Sequence, residues 1–461
     1  MAFTRRETML AGVGAAIGGD AAIGASPRRP NIVFIMADDL GWGDLSCYGA
    51  TDFRTPHLDH LAAQGVRFTD AYANSCVCSP TRVALMTGRY QYRLRAGLEE
   101  PIKERPSEAL GLPPSHPTLA SLLKRSGYST CLVGKWHMGH LPRFGPLKSG
   151  YDQFFGIASG GADYFTHKNR GGRSDLYENE TLVEQTGYLT DLLTNRAVKY
   201  VGDAAQAPRP FLLSLHYTAP HWPWEGPADA ARAAELKELF DFGGGSLATY
   251  AEMVRSMDEG VGRVLAAVDQ AGVADDTIVV FTSDNGGERF SRMWPLVGEK
   301  GDLLEGGIRV PAIARYPGRV PRGVVSPQVA ITMDWTATLL AMAGAPADPG
   351  FPLDGQDLSQ VIQGSAPPFP RRLFWRFVGQ RQAAVRDGDL KYLRVGQHQY
   401  LFDLRRDPRE RANLAEVHPG RMDELRQAFA TWNAAMLPDS DVEGYEVGPD
   451  RLAGRPASTM K

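Results

Sequence analysis

The run NSCVCSPTRVALMTGRY sets Cys76 and Cys78 one residue apart, with Pro80, Thr81 and Arg82 just after them. Cys78 could serve as metal ligand, disulfide partner, thiolate nucleophile, buried filler, or precursor of a group that is no longer a cysteine. Pro80 suits the first turn of a helix continued by TRVALMTG, which puts Cys78 just ahead of that helix's N-terminus. Unpaired backbone N–H groups and the helix dipole favour an anion there, and Arg82, one turn in, can point back at the same spot. A Cys76–Cys78 bridge would be strained. With four cysteines in all, the chain holds neither a disulfide framework nor a paired zinc motif.

A second group of reactive residues follows apolar, β-branched runs. Asp38-Asp39 close NIVFIMA, Asp284-Asn285 close TIVVFTS, Lys135-Trp136-His137 close TCLVG, and His221 ends FLLSLHYTAP. Singly, each has an ordinary explanation as a turn, a cap or a structural histidine. Together they mean more, because an open α/β sheet binds its ligands beyond the carboxyl ends of its strands. Asp38, Asp39, Asp284 and Asn285 form an oxygen-only set that suits a hard divalent cation, calcium first and magnesium as the alternative. Three carboxylates around one dication leave about one excess negative charge. An anionic substrate therefore needs further positive charge, which Arg82, Lys135 and Lys300 can supply.

Helix-patterned segments alternate with these strands. TPHLDHLAAQGVRF is stopped by Gly65 and HPTLASLLKRSGYS by Gly127, and LTDLLTNRAVKYVGDA, TYAEMVRSMDEGVGRVLAAVDQAG and MDWTATLLAMAG follow. The pattern predicts an α/β catalytic domain over 28–365, a large mostly parallel sheet sandwiched by helices. Near SAPPFPRR the texture changes to short alternating strands and one helix. This predicts a smaller C-terminal α+β domain on an antiparallel sheet, with a polar tail, over 366–461. Residues 1–27, with Arg5-Arg6 before a Gly/Ala-rich run, have the layout of a twin-arginine signal. Export to the periplasm or beyond by that machinery is the expectation. The apolar run is too short for a membrane span and Asp20 interrupts it, and no later segment is long enough either. A net charge of −3 gives no global field for nucleic acid or acidic lipid.

Cys78-Ser79-Pro80-Thr81-Arg82 matches the C-x-P-[ST]-R signature of the type I sulfatases, formylglycine-dependent members of the alkaline phosphatase superfamily, and Thr87-Gly88-Arg89 continues it. PNIVFIMADDLGWGDL, GYSTCLVGKWHMG, TSDNGG and GEKGDLLEGGIRVP also resemble sulfatase segments, in the family's order. The resemblance implies that a separate formylglycine-generating enzyme oxidises Cys78 to formylglycine, whose hydrate is a geminal diol. One hydroxyl would attack sulfur, and deprotonation of the other would expel sulfate and regenerate the aldehyde. It further implies that Asp38, Asp39, Asp284, Asn285 and modified Cys78 hold calcium. Arg82 and Lys135 would steady the diol, and His137 would take its proton. His221 would act as general acid, assisted by Lys300. His216 and His140 match no motif position, and Cys76 lies outside the signature.

The segment GIASGGADYFTHKNRGGRSDLYENETLVEQ resembles the arylsulfatase A/B-like bacterial branch, which implies a sulfated saccharide or small molecule as substrate, with aryl sulfates as surrogates. Tyr164, His167, Trp222 and Trp224 are candidates for a sugar-stacking platform. Two rival readings exist: a phosphomonoester or phosphodiester hydrolase of the same superfamily, and a non-catalytic sulfoglycan-binding protein in which Cys78 stays unmodified. The first usually carries serine or threonine and a two-zinc ligand set. The second would hold sulfated ligand without releasing sulfate.

Overall fold

The structure is a computed structural model that describes residues 1–2, 29–103, 110–235 and 244–438. The Arg5-Arg6 leader and the tail after Pro438 lie outside the described residues. In chain order the strands are β1 Asn31–Ala37, β2 Val66–Phe68, β3 Ala71–Tyr72, β4 Ser129–Gly134, β5 Gln153–Ile157, β6 Leu176–Glu178, β7 Thr181–Leu182 and β8 Phe211–His216. They continue as β9 Thr277–Ser283, β10 Ala312–Arg315, β11 Val324–Ser326, β12 Ala330–Ile331, β13 Arg372–Phe377, β14 Gln382–Asp387, β15 Leu390–Val395 and β16 His398–Asp403.

The first sheet has ten strands in the order β11-β2-β10-β9-β1-β8-β4-β5-β6-β7. Its centre, β9-β1-β8-β4-β5, is parallel throughout. β10 runs antiparallel to both β9 and β2. The central strands read as unbroken apolar runs because both of their faces are covered. On β1, Val33, Ile35 and Ala37 enter one core, with the Leu189–Ala205 and Leu247–Gln270 helices. Ile32, Phe34 and Met36 enter the opposite core, with the Cys78–Thr87, Leu119–Arg125 and Asp334–Ala343 helices. The expected helix-sandwiched, mostly parallel sheet is therefore the observed one. Among the described residues, no helix is long and apolar enough to cross a membrane.

The second sheet, β13-β14-β15-β16, is antiparallel. Period-2 alternation splits its side chains cleanly. Leu373, Trp375, Phe377, Ala384 and Leu393 pack toward Tyr72, Cys76, Val77 and Ala84, which places this sheet against the Cys78 helix. Ala383, Val385 and Leu401 face the other way, under Leu425 and Phe429 of the Pro419–Ala434 helix.

Buried charges join the two sheets. Lys391 Nζ meets Glu305 Oε1 at 2.9 Å and Glu410 Oε1 at 2.8 Å, with all three side chains fully buried. Tyr72 donates its hydroxyl to Glu305 Oε2 at 2.5 Å and accepts from Arg386. Asp70 pairs with Arg386 at 2.7 Å and Arg309 at 3.0 Å. Breaking one member of such a cluster leaves an uncompensated buried charge, at a cost of about 3–5 kcal/mol.

Candidate active site

The sheet's carboxyl edge assembles the sequence-predicted residues. Parallel register aligns Ala37 of β1 with Ser283 of β9, so Asp38-Asp39 and Asp284-Asn285 leave the sheet side by side. Asp39 donates its N–H to Asp284 Oδ1 at 3.2 Å, and Asn285 Nδ2 donates to Asp39 Oδ1 at 2.7 Å. Lys135, just past β4, donates to Asp38 Oδ2 at 2.5 Å. Lys300 donates to Asp39 Oδ2 at 2.6 Å.

Cys78 is the first residue of the Cys78–Thr87 helix, with Val77 as N-cap, one position further in than the sequence suggested. Val77 has no side chain to cap the helix, so the first-turn N–H groups stay available to a ligand. The signature residues each have a task. Thr81 Oγ1 accepts from Ser75 N at 2.9 Å and tightens the loop that leads into the helix. Arg82, fully buried, donates through Nε and Nη2 to Asp284 Oδ2 at 3.0 and 2.8 Å, and through Nη1 to the Lys135 carbonyl at 3.1 Å. Ser79 Oγ accepts from Ile102 N at 2.8 Å, and the Ile102 carbonyl faces His137 Nε2 at 3.0 Å.

That last contact fixes a tautomer. A carbonyl only accepts, so His137 carries its hydrogen on Nε2 and leaves Nδ1 as a bare lone pair, buried without a partner. Burial in the first place, then Lys135, pushes the imidazole well below its usual pKa, so it stays neutral with its lone pair at Nδ1. Its backbone is held at φ 53°, and Asp39 at 62°, conformations that non-glycine residues adopt under constraint. A Cβ on Gly160 would come within 2.6 Å of the His137 ring, so position 160 must be glycine for the ring to sit there. His221 is the mirror case. Its Nδ1 donates to the Trp222 carbonyl at 2.5 Å, and Nε2 lies 3.6 Å from Asp39 Oδ2. Burial first, then Lys300 and Lys135, keeps this ring neutral as well.

Asp38, Asp39, Cys78 and His221 each offer a donor atom within 4.8 Å of the others. Two oxygens of the expected metal set, Asp38 Oδ1 and Asn285 Oδ1, are buried without a hydrogen-bond partner. Burial, then Asp284, drives the Asp38 carboxyl upward against the pull of Lys135 and Arg82, the mark of a site short of positive charge. Orphaned hard oxygens and a carboxylate crowded by its like fit a calcium-type ion. Burial also pushes the Cys78 thiol upward, more than Lys135 and Lys300 pull it down, so it is no ordinary thiolate nucleophile.

Other expectations change. Tyr164 is buried, stacks on Tyr188 and donates its hydroxyl to the Thr218 and His221 carbonyls. Trp224 is buried against Phe290, and His167 is buried facing the Gly187 carbonyl. Of the four proposed sugar-stacking residues only Trp222 keeps partial exposure, stacked on His221 with centroids 4.7 Å apart. Tyr164 holds the loop that carries His221 through its hydroxyl, Tyr164 and Trp224 give their rings to the core, and His167 serves the Gly187 backbone. His216 ends β8, edge-on to Phe34, and burial first, then Arg82, takes its pKa down to about 3. Cys76 is a buried free thiol whose carbonyl accepts from Gly301 N. Two acids escaped the sequence reading. Glu288 lies 3.6 Å from Lys300, and buried Asp44 anchors the segment that bears it. Neither follows a strand or falls in a periodic pattern.

Comparison with known proteins gives the same direction. A family model described as Sulfatase matches residues 30–345. N-acetylgalactosamine-6-sulfatase of Canis lupus familiaris is 35% identical over 372 residues, covering 75% of this chain and 68% of that protein. Arylsulfatase A of Homo sapiens is 33% identical over 465 residues, covering 88% and 87%. The solved structure of Ps i-CgsB in complex with k-i-k-neocarrahexaose matches with a TM-score of 0.79 at 31% identity, over 93% of this chain and 96% of that one.

Proposed function

The chain belongs to the sulfatase family and is a sulfatase, and on that premise we propose that it cleaves a sulfate monoester of a carbohydrate through formylglycine made from Cys78 and a bound calcium ion. The observation that carries this reading is the buried cluster of Cys78, Asp38, Asp39 and His221 beside two oxygens without hydrogen-bond partners and a bare His137 Nδ1. The saccharide class is supported by relatives: one is named for N-acetylgalactosamine 6-sulfate, and another holds an oligosaccharide in its structure.

Formylglycine supplies a hydrated aldehyde as nucleophile, and calcium held by Asp38, Asp39, Asp284, Asn285 and residue 78 supplies charge that polarises the sulfate oxygens. Arg82 pairs with Asp284 and Lys135 with Asp38, and both hold residue 78 in a positive field. His137 receives a proton at Nδ1, since Nε2 is committed to the Ile102 carbonyl. Lys300 and His221 face the leaving oxygen from the Asp39 side. His221 serves as the acid once it carries a proton on Nε2, and an entering anion favours that state. Three carboxylates offset Arg82, Lys135 and Lys300, so a dication leaves the centre net positive, as an anionic ester requires.

Mass spectrometry of the tryptic peptide from Phe68 to Arg82 tests the proposal. The expected result is an aldehyde or its hydrate at position 78, with only Cys76 alkylated. Two alkylatable cysteines and no modified fraction would overturn it. Export through Arg5-Arg6 belongs to the same proposal. Replacing the pair with Lys-Lys should leave active, converted enzyme in the cytoplasm.

A further inference from the structure

A carboxylate at the mouth of a sulfate site repels its substrate, yet Glu288 stands there. Its side chain is 25% exposed, against 12% for Lys300 and 2% for Asp39, so it is the outermost acid of the cluster. Its ion-pair partner among the described residues is Lys300, whose Nζ lies 3.6 Å from Glu288 Oε1 and 2.6 Å from Asp39 Oδ2. Asp39 already neutralises Lys300 at contact distance, and Glu288 is not needed for that.

The position is built rigidly. The Glu288 carbonyl accepts from Ser291 N at 2.8 Å, which closes a turn. Ser291 Oγ and Arg292 N then donate to the two carboxylate oxygens of Asp44 at 2.5 and 2.7 Å. Asp44 is buried and also takes Tyr250 Oη at 2.6 Å and Gly41 N at 2.8 Å, two residues beyond Asp39. Lys300 N donates to the Gly287 carbonyl at 3.0 Å, so both ends of the turn are tied to the reacting centre. A side chain carried on a turn held this firmly, 3.6 Å from Lys300 and left partly open, is placed to meet the part of the substrate that follows the sulfur.

Burial pushes the Glu288 carboxyl up to about 7 against the pull of Lys300, so above that pH it is a carboxylate, which only accepts hydrogen bonds, while hydroxyl groups donate them. We propose that Glu288 is a specificity-determining residue, accepting hydrogen bonds from hydroxyl groups that flank the scissile sulfate and rejecting substrates with a second sulfate or a carboxylate there. The inference rests on the carbohydrate-sulfate reading above and narrows it to sugars with a free hydroxyl beside the sulfate. Repulsion gives the discrimination and hydrogen bonding gives the preference, the two halves of a specific site.

The test compares kcat/KM of the converted wild-type enzyme for galactose 4-sulfate, galactose 6-sulfate and galactose 4,6-disulfate, with 4-nitrophenyl sulfate as a hydroxyl-free reference. Wild type should prefer its better monosulfate over the disulfate by about tenfold or more. Glu288→Gln should bring that ratio close to one, and Glu288→Asp should restore most of it. Because the ratio is taken within each variant, a general loss of folded enzyme cancels. An unchanged ratio in Glu288→Gln, or a wild type that cleaves the disulfate as fast as the monosulfate, overturns the assignment. Cleavage of 4-nitrophenyl sulfate alone, with none of the sugars turned over, refutes the carbohydrate class and the role of Glu288 with it. No cleavage of any probe refutes the proposed mechanism itself.

Discussion

At the ends of β1 and β9, Asp38 Oδ1, Asn285 Oδ1 and His137 Nδ1 are buried without hydrogen-bond partners, whereas at the junction of the two sheets Glu305, Glu410 and Lys391 meet at 2.8–2.9 Å. Both clusters consist of acids and bases with almost no solvent contact, and both join segments far apart in sequence. They differ in completion. The junction pairs its carboxylates with cations of the chain itself, so it can only hold. The sheet edge leaves hard oxygens and a lone pair unsatisfied, each at a cost of roughly 1–3 kcal/mol. What separates the two is the kind of atom left over: hard oxygens and an imidazole lone pair converging at one strand edge can receive a cation and a proton, whereas carboxylates closed around a lysine cannot.

The contrast can be broken most sharply at Cys78. Cys78→Ala should lower sulfate release from an aryl sulfate by about 10⁴-fold or more while the Tm stays within a degree or two of wild type. The assay and a thermal melt on the same sample check this. A large fall in Tm would mean that the site residues also carry the fold. Lys391→Met is the converse experiment. Leaving Glu305 and Glu410 buried without their shared cation should cost about 3–5 kcal/mol, read from denaturant midpoints, with kcat/KM little changed at a permissive temperature.

Metal removal sharpens the comparison further. Chelation should abolish sulfate release and also lower stability, by ~2.7 kcal/mol relative to enzyme held at a hundred times the calcium Kd. Readdition of calcium should restore both, and the loss should be equal in wild type and Lys391→Met, because the two clusters are independent. The smallest effect concerns pH. Burial works to raise Glu305 above its ordinary 4.5, but Lys391, with Arg309 and Arg386, outweighs it and holds the carboxyl well below that value. A depressed folded-state pKa contributes stability that is present above 4.5 and is lost as pH falls below it. Acid titration of unfolding free energy should show that limb, and Lys391→Met should reduce it.

Much of this architecture was legible in the residues. Unbroken apolar runs such as NIVFIM and TIVVFT declared strands covered on both faces, and the acids at their ends located the edge of the sheet. The antiparallel insertion of β10 between β9 and β2 was not legible, because a short run such as AIAR carries no mark of its direction. The aromatic platform failed for a related reason. Tyr164 and Trp224 look alike in sequence whether they face solvent or core, and only tertiary packing decides. Glu288 was invisible because its significance comes from Asp44, more than two hundred residues earlier, fixing the turn beneath it.

The pairing of β1 with β9 has a consequence in time. Asn31 aligns with Thr277, so the strand that starts the catalytic edge waits for one made much later. Between Cys78 and the end of β9 lie roughly 200 residues, and at about 5–20 residues per second their synthesis takes on the order of 10–40 s. Throughout that interval the Cys78 helix can exist while Asp284, Asn285 and Lys300 do not. The thiol that is 2% exposed in the finished protein then lacks Asp284 and Lys300, two of its charged neighbours. On the proposed conversion, the strand order sets a clock on the ribosome: a converting enzyme would have tens of seconds to reach Cys78 before the last central strand is made.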